Sequence, residues 1–273
     1  MNNILREIRI KHWLKNLFVL APILFTPEKW SADNFRFTLL GILSFSLVSS
    51  SVYIMNDLHD VEEDRKNHVN SIRPYAARLI SDKAMYLILG VLLFAAILLT
   101  IPINIKFILV ISGYLVLNLL YTYFLKKINY INYSVVALGF VLRVLGGCAV
   151  ISVSPSIWII ILTFLLTYFI SIVKFYLNGA RNKIDYLQIK ILAIMIPLIY
   201  LFYATSAETI AHFGTKLLVI SVIPVIAGFI YTLYKIKREK NKDIVNFFTD
   251  KIYWCIYLVW LLIIIGVTGR NYF

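Results

Sequence analysis

Five of the chain's 14 acidic residues crowd into one short stretch, Asn56-Asp57-Leu58-His59-Asp60-Val61-Glu62-Glu63-Asp64-Arg65. On a helix, Asp57, Asp60 and Asp64 stand at i, i+3 and i+7 and share one face, within roughly 60° of one another. Like charges at that spacing destabilise an isolated helix, and a low-dielectric neighbourhood makes their ionisation costlier still. A cation held between them resolves both problems. Carboxylates together with the Asn56 amide make an oxygen-only ligand set, which suits Mg2+, an ion commonly shared with substrate phosphates. The alternative is a solvated acidic face balanced by Arg65, Lys66 and Arg73. Glu62 and Glu63 point to other faces of such a helix and fit that alternative. Asp57 fits it less well, because it directly follows a long apolar run, where ionisable groups are functional candidates.

A phosphorylated ligand also needs positive charge. Arg73 follows the acidic segment, while Lys15, the pair Lys126-Lys127 and Lys174 lie at the ends of apolar runs; for all of them anchoring to the membrane surface is the competing explanation. Arg143 differs. It sits within the run Gly139-Phe140-Val141-Leu142-Arg143-Val144-Leu145-Gly146-Gly147, where burial without a partner is expensive. It must pair with a carboxylate or meet a ligand phosphate, and a guanidinium suits both. Gly146 and Gly147 are expected to let helices pack closely. The four histidines and the two cysteines, Cys148 and Cys255, have no metal-ligand spacing.

The elements that position these residues are apolar helices. The 273 residues are 60% hydrophobic with a mean hydropathy of +0.81, well above a soluble domain. Spans of roughly 20 residues are expected near Trp13–Phe25, Phe37–Met55, Ala84–Ile103, Ile105–Phe124, Tyr133–Val153, Ile157–Tyr176, Ile189–Ala207, Lys216–Tyr234 and Tyr253–Val267. That makes nine, in a single domain covering 1–273. The apolar run from Leu17 to Phe25 contains Pro22 and meets no small-residue cleavage site, so it is expected as a retained span rather than a signal sequence. With the N-terminus in the cytoplasm, 21 of the 27 Lys and Arg fall on the cytoplasmic side, five outside, and Arg143 within a span. Membrane orientation accounts for that asymmetry, so the net charge of +13 does not indicate nucleic acid. Asp57, Asp60, Asp64 and the cations named above then share the cytoplasmic face.

The residues resemble a known family, the UbiA-type membrane prenyltransferases, and within it the decaprenyl-phosphate phosphoribosyltransferase branch. The element Asn56-Asp57-x-x-Asp60-x-x-x-Asp64-Arg65, followed by Arg73-Pro74-x-Ala76, is similar to the family's first aspartate-rich motif. Trp13-Leu14-Lys15-Asn16-Leu17-Phe18-Val19-Leu20-Ala21-Pro22 resembles the branch's N-terminal signature, as do Tyr121-Thr122 with Leu125-Lys126, and Gly139 to Arg143 with Gly147. The resemblance implies an all-α membrane bundle of about nine helices around a cytoplasm-facing cavity, in a bacterial-type inner or plasma membrane. It implies Mg2+ on Asn56, Asp57, Asp60 and Asp64, with substrate held by Lys15, Asn56, Arg73, Lys126, Arg143 and Lys174. The implied reaction moves a 5-phosphoribosyl group from phosphoribosyl pyrophosphate to a polyprenyl phosphate. Alternatives are a prenyl diphosphate donor with a small or aromatic acceptor, and a non-catalytic binder of lipid phosphate. The chain also departs from the branch. Asn67, His68 and Asn70 replace its usual residues between Asp64 and Arg73, and Asn132 and Asn178 stand where acids are expected. Amides cannot supply the charge of a second acidic half-site.

Overall fold

Ser31, Ser81 and Asn104 each precede an apolar run, and each side-chain oxygen accepts the backbone N–H three residues on (Asn34, Ala84 and Phe107), starting a helix as N-caps do. These caps set the frame of the computed structural model, which describes residues 3–126, 128, 130–177, 182–238, 247 and 250–269. The described residues form helices and connecting turns, with no strand among them. The chain divides into two compact units, Met1–Ser156 and Ile157–Phe273.

In the first unit, α1 (Asn3–Glu7) leads into a 3-10 helix, Ile10–Leu20, and a single α-turn, α2 (Ala21–Leu24). After a second short 3-10 turn come α3 (Ala32–Lys66), α4 (Asp82–Thr100), α5 (Ile105–Leu120), a π-helical turn at Tyr121–Leu125, and α6 (Ile131–Val150). At 35 residues, α3 is about 52 Å long at 1.5 Å per residue. It outruns a hydrocarbon core of roughly 30 Å, and its acidic segment occupies the surplus. Helices α3 and α6 are the buried pair, while α4 and α5 leave most of their apolar surface on the outside of the unit. Small residues make that pairing possible. A Cβ on Gly146 would lie 2.5 Å from the Phe45 ring, and one on Gly147 only 2.2 Å from the Val19 carbonyl oxygen. The close packing expected of these two glycines is what they provide.

The second unit comprises α7 (Ile157–Leu177), α8 (Lys183–Thr205), α9 (Ala207–Phe213), a 3-10 turn at Leu217–Ser221, α10 (Val222–Arg238) and α11 (Lys251–Gly269). Inside it, Tyr200 exchanges a hydrogen bond with Ser221 and accepts one from Trp260. Lys235 donates to Asp250 and to the Phe247 carbonyl.

Among the described residues, eight helices are long and apolar enough to cross a membrane. The ninth expected span, Trp13–Phe25, folds differently. Its 3-10 turns and the short α2 do not build one continuous α-helix. Pro22 lacks an N–H for the helical ladder, and the polar side chains of Trp13 and Asn16 are drawn sideways onto serines of α3.

Candidate functional site

The acidic segment is helical through Lys66, so Asp57, Asp60 and Asp64 do share a face, and each meets a cation. Asp57 is 3% exposed. Arg9 Nη2 donates to both of its carboxylate oxygens at 2.5 Å, and Arg73 Nη1 donates to its Oδ1 at 3.0 Å. Arg73 bridges on to Asp64 Oδ2 at 2.5 Å, while Asn70 Nδ2 donates to Asp64 Oδ1 at 2.8 Å. Asp60 is ion-paired with Lys126 Nζ, and its Oδ1 lies 2.8 Å from His59 Nδ1. The π-helical turn sets Lys126 in place, its N–H bonded to the Tyr121 carbonyl; such turns recur at functional sites. The loop carrying Arg73 is shaped by Asn67, whose Oδ1 accepts the N–H groups of Val69 and Asn70.

Beside these residues is a cavity of about 320 Å³. Asp60, Asp64 and Glu63 line it with carboxylates, Asn56, Asn67 and Asn70 with amides, and Arg73 and Lys126 with cations. Every lining residue among the described ones is polar. Asp57 does not line it, because its carboxylate is turned onto the two arginines. Among the described residues, accordingly, no three acidic, His or Cys groups stand together as a ready-made metal cage. Oxygen donors are nevertheless present for a hard divalent cation. Asn56 lines the cavity, and its Oδ1 is buried with no hydrogen-bond partner. Buried polar atoms rarely stay unpaired, and an amide oxygen on the same cavity wall as Asp60 and Asp64 fits Mg2+ coordination chemistry.

Two residues of this site stand outside the acidic motif and the expected cations. One is Arg9. The other is Glu7, which is 1% exposed; its Oε2 accepts the Tyr75 N–H at 3.3 Å. Burial pushes the Glu7 carboxyl up to about 7, and the charge of Asp57 pushes the same way, against the Tyr75 N–H and Arg9. The one available signal was that Glu7 is the sole acid among the basic first 16 residues.

The other expected ligands are placed differently. Arg143 is 5% exposed, and neutral groups satisfy it instead of a carboxylate. Its Nε donates to Asn16 Oδ1 at 2.7 Å, Nη1 to the Gly139 carbonyl at 2.7 Å and Nη2 to the Tyr114 hydroxyl at 2.9 Å. Lys15 stands on the Ile10–Leu20 segment in the fields of Arg9 and Arg143. Lys174 belongs to the second unit, in the last turn of α7. The Asn132 side chain turns back onto the N–H of Tyr133. Asn178 and Lys127 lie outside the described residues.

Comparison with known proteins places this helical architecture. A family model described as the UbiA prenyltransferase family matches residues 17–262. The chain belongs to the UbiA prenyltransferase family. It is 33% identical over 171 residues to an uncharacterized protein of Sinorhizobium fredii, covering 62% of this chain and 32% of that one. It is 27% identical over 165 residues to the decaprenyl-phosphate phosphoribosyltransferase of Mycolicibacterium smegmatis, covering 59% and 52%. The matched stretch thus spans between a third and about half of these curated relatives' length. The solved UbiA homolog from Archaeoglobus fulgidus bound to GPP and Mg2+ has the same fold, with a TM-score of 0.63 at 19% identity over 98% of this chain and all of that one. As a UbiA family member with eight apolar helices of spanning length, the chain is an integral membrane protein.

Proposed function

We propose that this UbiA family member transfers a 5-phosphoribosyl group from phosphoribosyl pyrophosphate to a polyprenyl phosphate, at a site on the cytoplasmic side of the membrane. One observation carries the choice of donor: among the described residues, those lining the cavity beside the aspartates are acids, amides and cations. Such a lining suits a sugar phosphate, whose hydroxyls and oxyanions need hydrogen bonds. Among the described residues, none that lines it has an aliphatic or aromatic side chain to hold the hydrocarbon of a prenyl donor. The phosphoribosyltransferase name of the mycobacterial relative supports the same reading.

Asn56, Asp60 and Asp64 are the residues that would hold Mg2+, with Asp57 as the fourth group of the set. A bound Mg2+ supplies neutralisation of the charge gathering on the departing pyrophosphate. Arg73 and Lys126, already on the cavity wall, would hold the donor's anionic oxygens and keep water from replacing them. In the reaction, the bond from the ribose anomeric carbon to the pyrophosphate oxygen breaks and its electron pair leaves with the pyrophosphate. An oxygen of the acceptor phosphate forms the new bond to that carbon. The acceptor phosphate is ionised before it attacks, so no protein base is required. Amides at Asn132 and Asn178 are therefore compatible with the chemistry.

The test is purified protein in detergent with Mg2+, phosphoribosyl pyrophosphate and a polyprenyl phosphate. The expected product is a lipid-linked phosphoribose. Turnover of geranyl diphosphate with an aromatic acceptor, and none with phosphoribosyl pyrophosphate, would replace this reading with the family's prenyl-transfer chemistry. The Mg2+ and GPP in the archaeal homolog make that the alternative to measure.

A further inference from the structure

We infer that Arg9, which pairs with Asp57 in this fold, is a phosphate-binding residue, and that it exchanges Asp57 for the diphosphate of the donor when the site fills. The inference rests on the diphosphate-bearing donor and metal proposed above, and it adds a residue that neither the acidic motif nor the cavity lining contains.

Three features of the N-terminal segment point to it. First, Asp57 is satisfied twice over at one oxygen. Asp57 receives Arg9 through both oxygens although Arg73, which it shares with Asp64, already donates to one of them, and Arg73 stands on the wall of the cavity. Second, the arginine is held ready rather than enclosed. The Arg9 and Arg73 side chains keep 19% and 29% exposure, against 3% for Asp57. Arg9 also lies over the Tyr53 ring at 4.6 Å, a platform that holds a guanidinium without using its N–H donors. Third, its backbone is fixed in a left-handed conformation, φ 53° and ψ 48°, which a non-glycine residue adopts at a cost and which clusters at ligand-binding positions. The flanking chain maintains that conformation. Ser50 Oγ donates to the Ile8 carbonyl and accepts from Trp13 Nε1.

A carboxylate cannot serve fully as a metal ligand while both its oxygens accept from arginine. Entry of the cation therefore weakens the Arg9–Asp57 pair, and the arriving diphosphate offers Arg9 a more highly charged acceptor within the same neighbourhood. No covalent step is involved.

The experiment is calorimetric titration of the detergent-purified chain, first with MgCl2 alone and then with inorganic pyrophosphate at saturating Mg2+. Wild type, Arg9→Gln and Arg9→Lys are compared. Exchange predicts opposite signs for Arg9→Gln: Mg2+ binds severalfold tighter, because a competitor for Asp57 is gone, while pyrophosphate binds at least tenfold weaker. Arg9→Lys keeps the charge without the fork. It should fold even where the glutamine variant does not, and should lose pyrophosphate affinity by a smaller factor with Mg2+ binding retained. If Arg9 merely props Asp57, Mg2+ and pyrophosphate affinities fall together, and the exchange is refuted. Pyrophosphate affinity unchanged in both variants refutes it as well. A wild-type chain that binds neither probe overturns the proposed function along with this inference. Normal wild-type binding of both, matched by the variants, overturns the inference alone.

Discussion

Arg143 and the aspartates of α3 are both charges carried by apolar helices of the first unit, but their surroundings differ in kind. Arg143 is met by neutral dipoles on every side: an amide, a carbonyl and a hydroxyl, with the Tyr114 and Phe140 rings against the guanidinium. Asn16 in turn donates to Ser46 and Ser49, so the network closes on itself and pins the Ile10–Leu20 segment to α3 and α6. The aspartates have partners that are themselves charged, partly exposed and shared. Arg73 alone serves two of them. A closed network of neutral groups fixes geometry. A shared set of ion pairs beside a polar cavity can be re-partitioned when a ligand enters. The comparison separates a residue whose partners are all neutral from the residues proposed to bind, although the sequence placed both among candidate ligands.

The sharpest way to break that distinction is to neutralise one aspartate at a time. Asp60→Asn, on the cavity wall, is expected to reduce phosphoribosyl transfer by more than a hundredfold with the melting temperature almost unchanged. Asp57→Asn is expected to lose as much activity and also to lower stability by about 2 kcal/mol, because Arg9 is left facing an amide and Arg73 keeps only Asp64. Transfer rates and detergent melting curves measured on the same preparations check both. Full activity in Asp60→Asn would remove the metal site from the α3 face.

Next is Arg143→Met, which keeps much of the length but deletes the donors that Asn16 and Tyr114 receive. Loss of a buried, charged hydrogen-bond network predicts a cost of about 3 kcal/mol. Thermal unfolding measures it, and in molecules that remain folded the Mg2+ affinity should equal wild type. An Mg2+ or pyrophosphate affinity that falls while stability holds would return Arg143 to the ligand set.

A smaller effect probes the packing that both regions share. Gly147→Ala places a methyl 2.2 Å from the Val19 carbonyl oxygen, backbone that cannot rotate away, and a cost of about 2 kcal/mol is expected from such overpacking. Gly90→Ala is its control. Nothing lies within 4 Å of the added carbon, and a mid-helix glycine replaced by alanine should gain about 0.5–1 kcal/mol.

These contrasts also mark what was legible in the sequence. The acidic face was, because helix periodicity fixes which side chains coincide and α3 is a regular helix through Lys66. Gly147 was, because an apolar helix with paired glycines has few other uses for them. The partner of Arg143 was not. It comes from Asn16, 127 positions away, and no local period relates the two. Nor was the turn of Asp57 away from the cavity, which depends on where a 3-10 segment delivers Arg9. The first expected span failed for the same reason. Hydropathy measures whether a segment prefers lipid, but Trp13 and Asn16 settle onto serines of α3, and a segment anchored sideways need not complete an α-helix.

Glu7 offers the finest test, because it touches the binding region yet its own contribution is readable as stability. In the fold its carboxyl is raised to about 7 from 4.5, so below pH 4.5 it is protonated in folded and unfolded chains alike and has no effect on their balance. Between 4.5 and 7 the folded chain keeps a proton that the unfolded chain releases. Folding is then disfavoured progressively as pH rises. Above 7 the buried carboxylate is charged beside Asp57 and the full penalty is present. Glu7→Gln keeps an acceptor for the Tyr75 N–H but has no proton to lose. Its stability should therefore match wild type near pH 4.5 and exceed it above pH 7, by about 2 kcal/mol after allowing for solvent screening. Paired melting curves from pH 4.5 to 8 read this difference directly. A constant offset would assign Glu7 a purely steric part in holding the Tyr75 loop. A widening gap would show that the N-terminal segment contributes a buried acid to the same charge set that Arg9 and Arg73 balance.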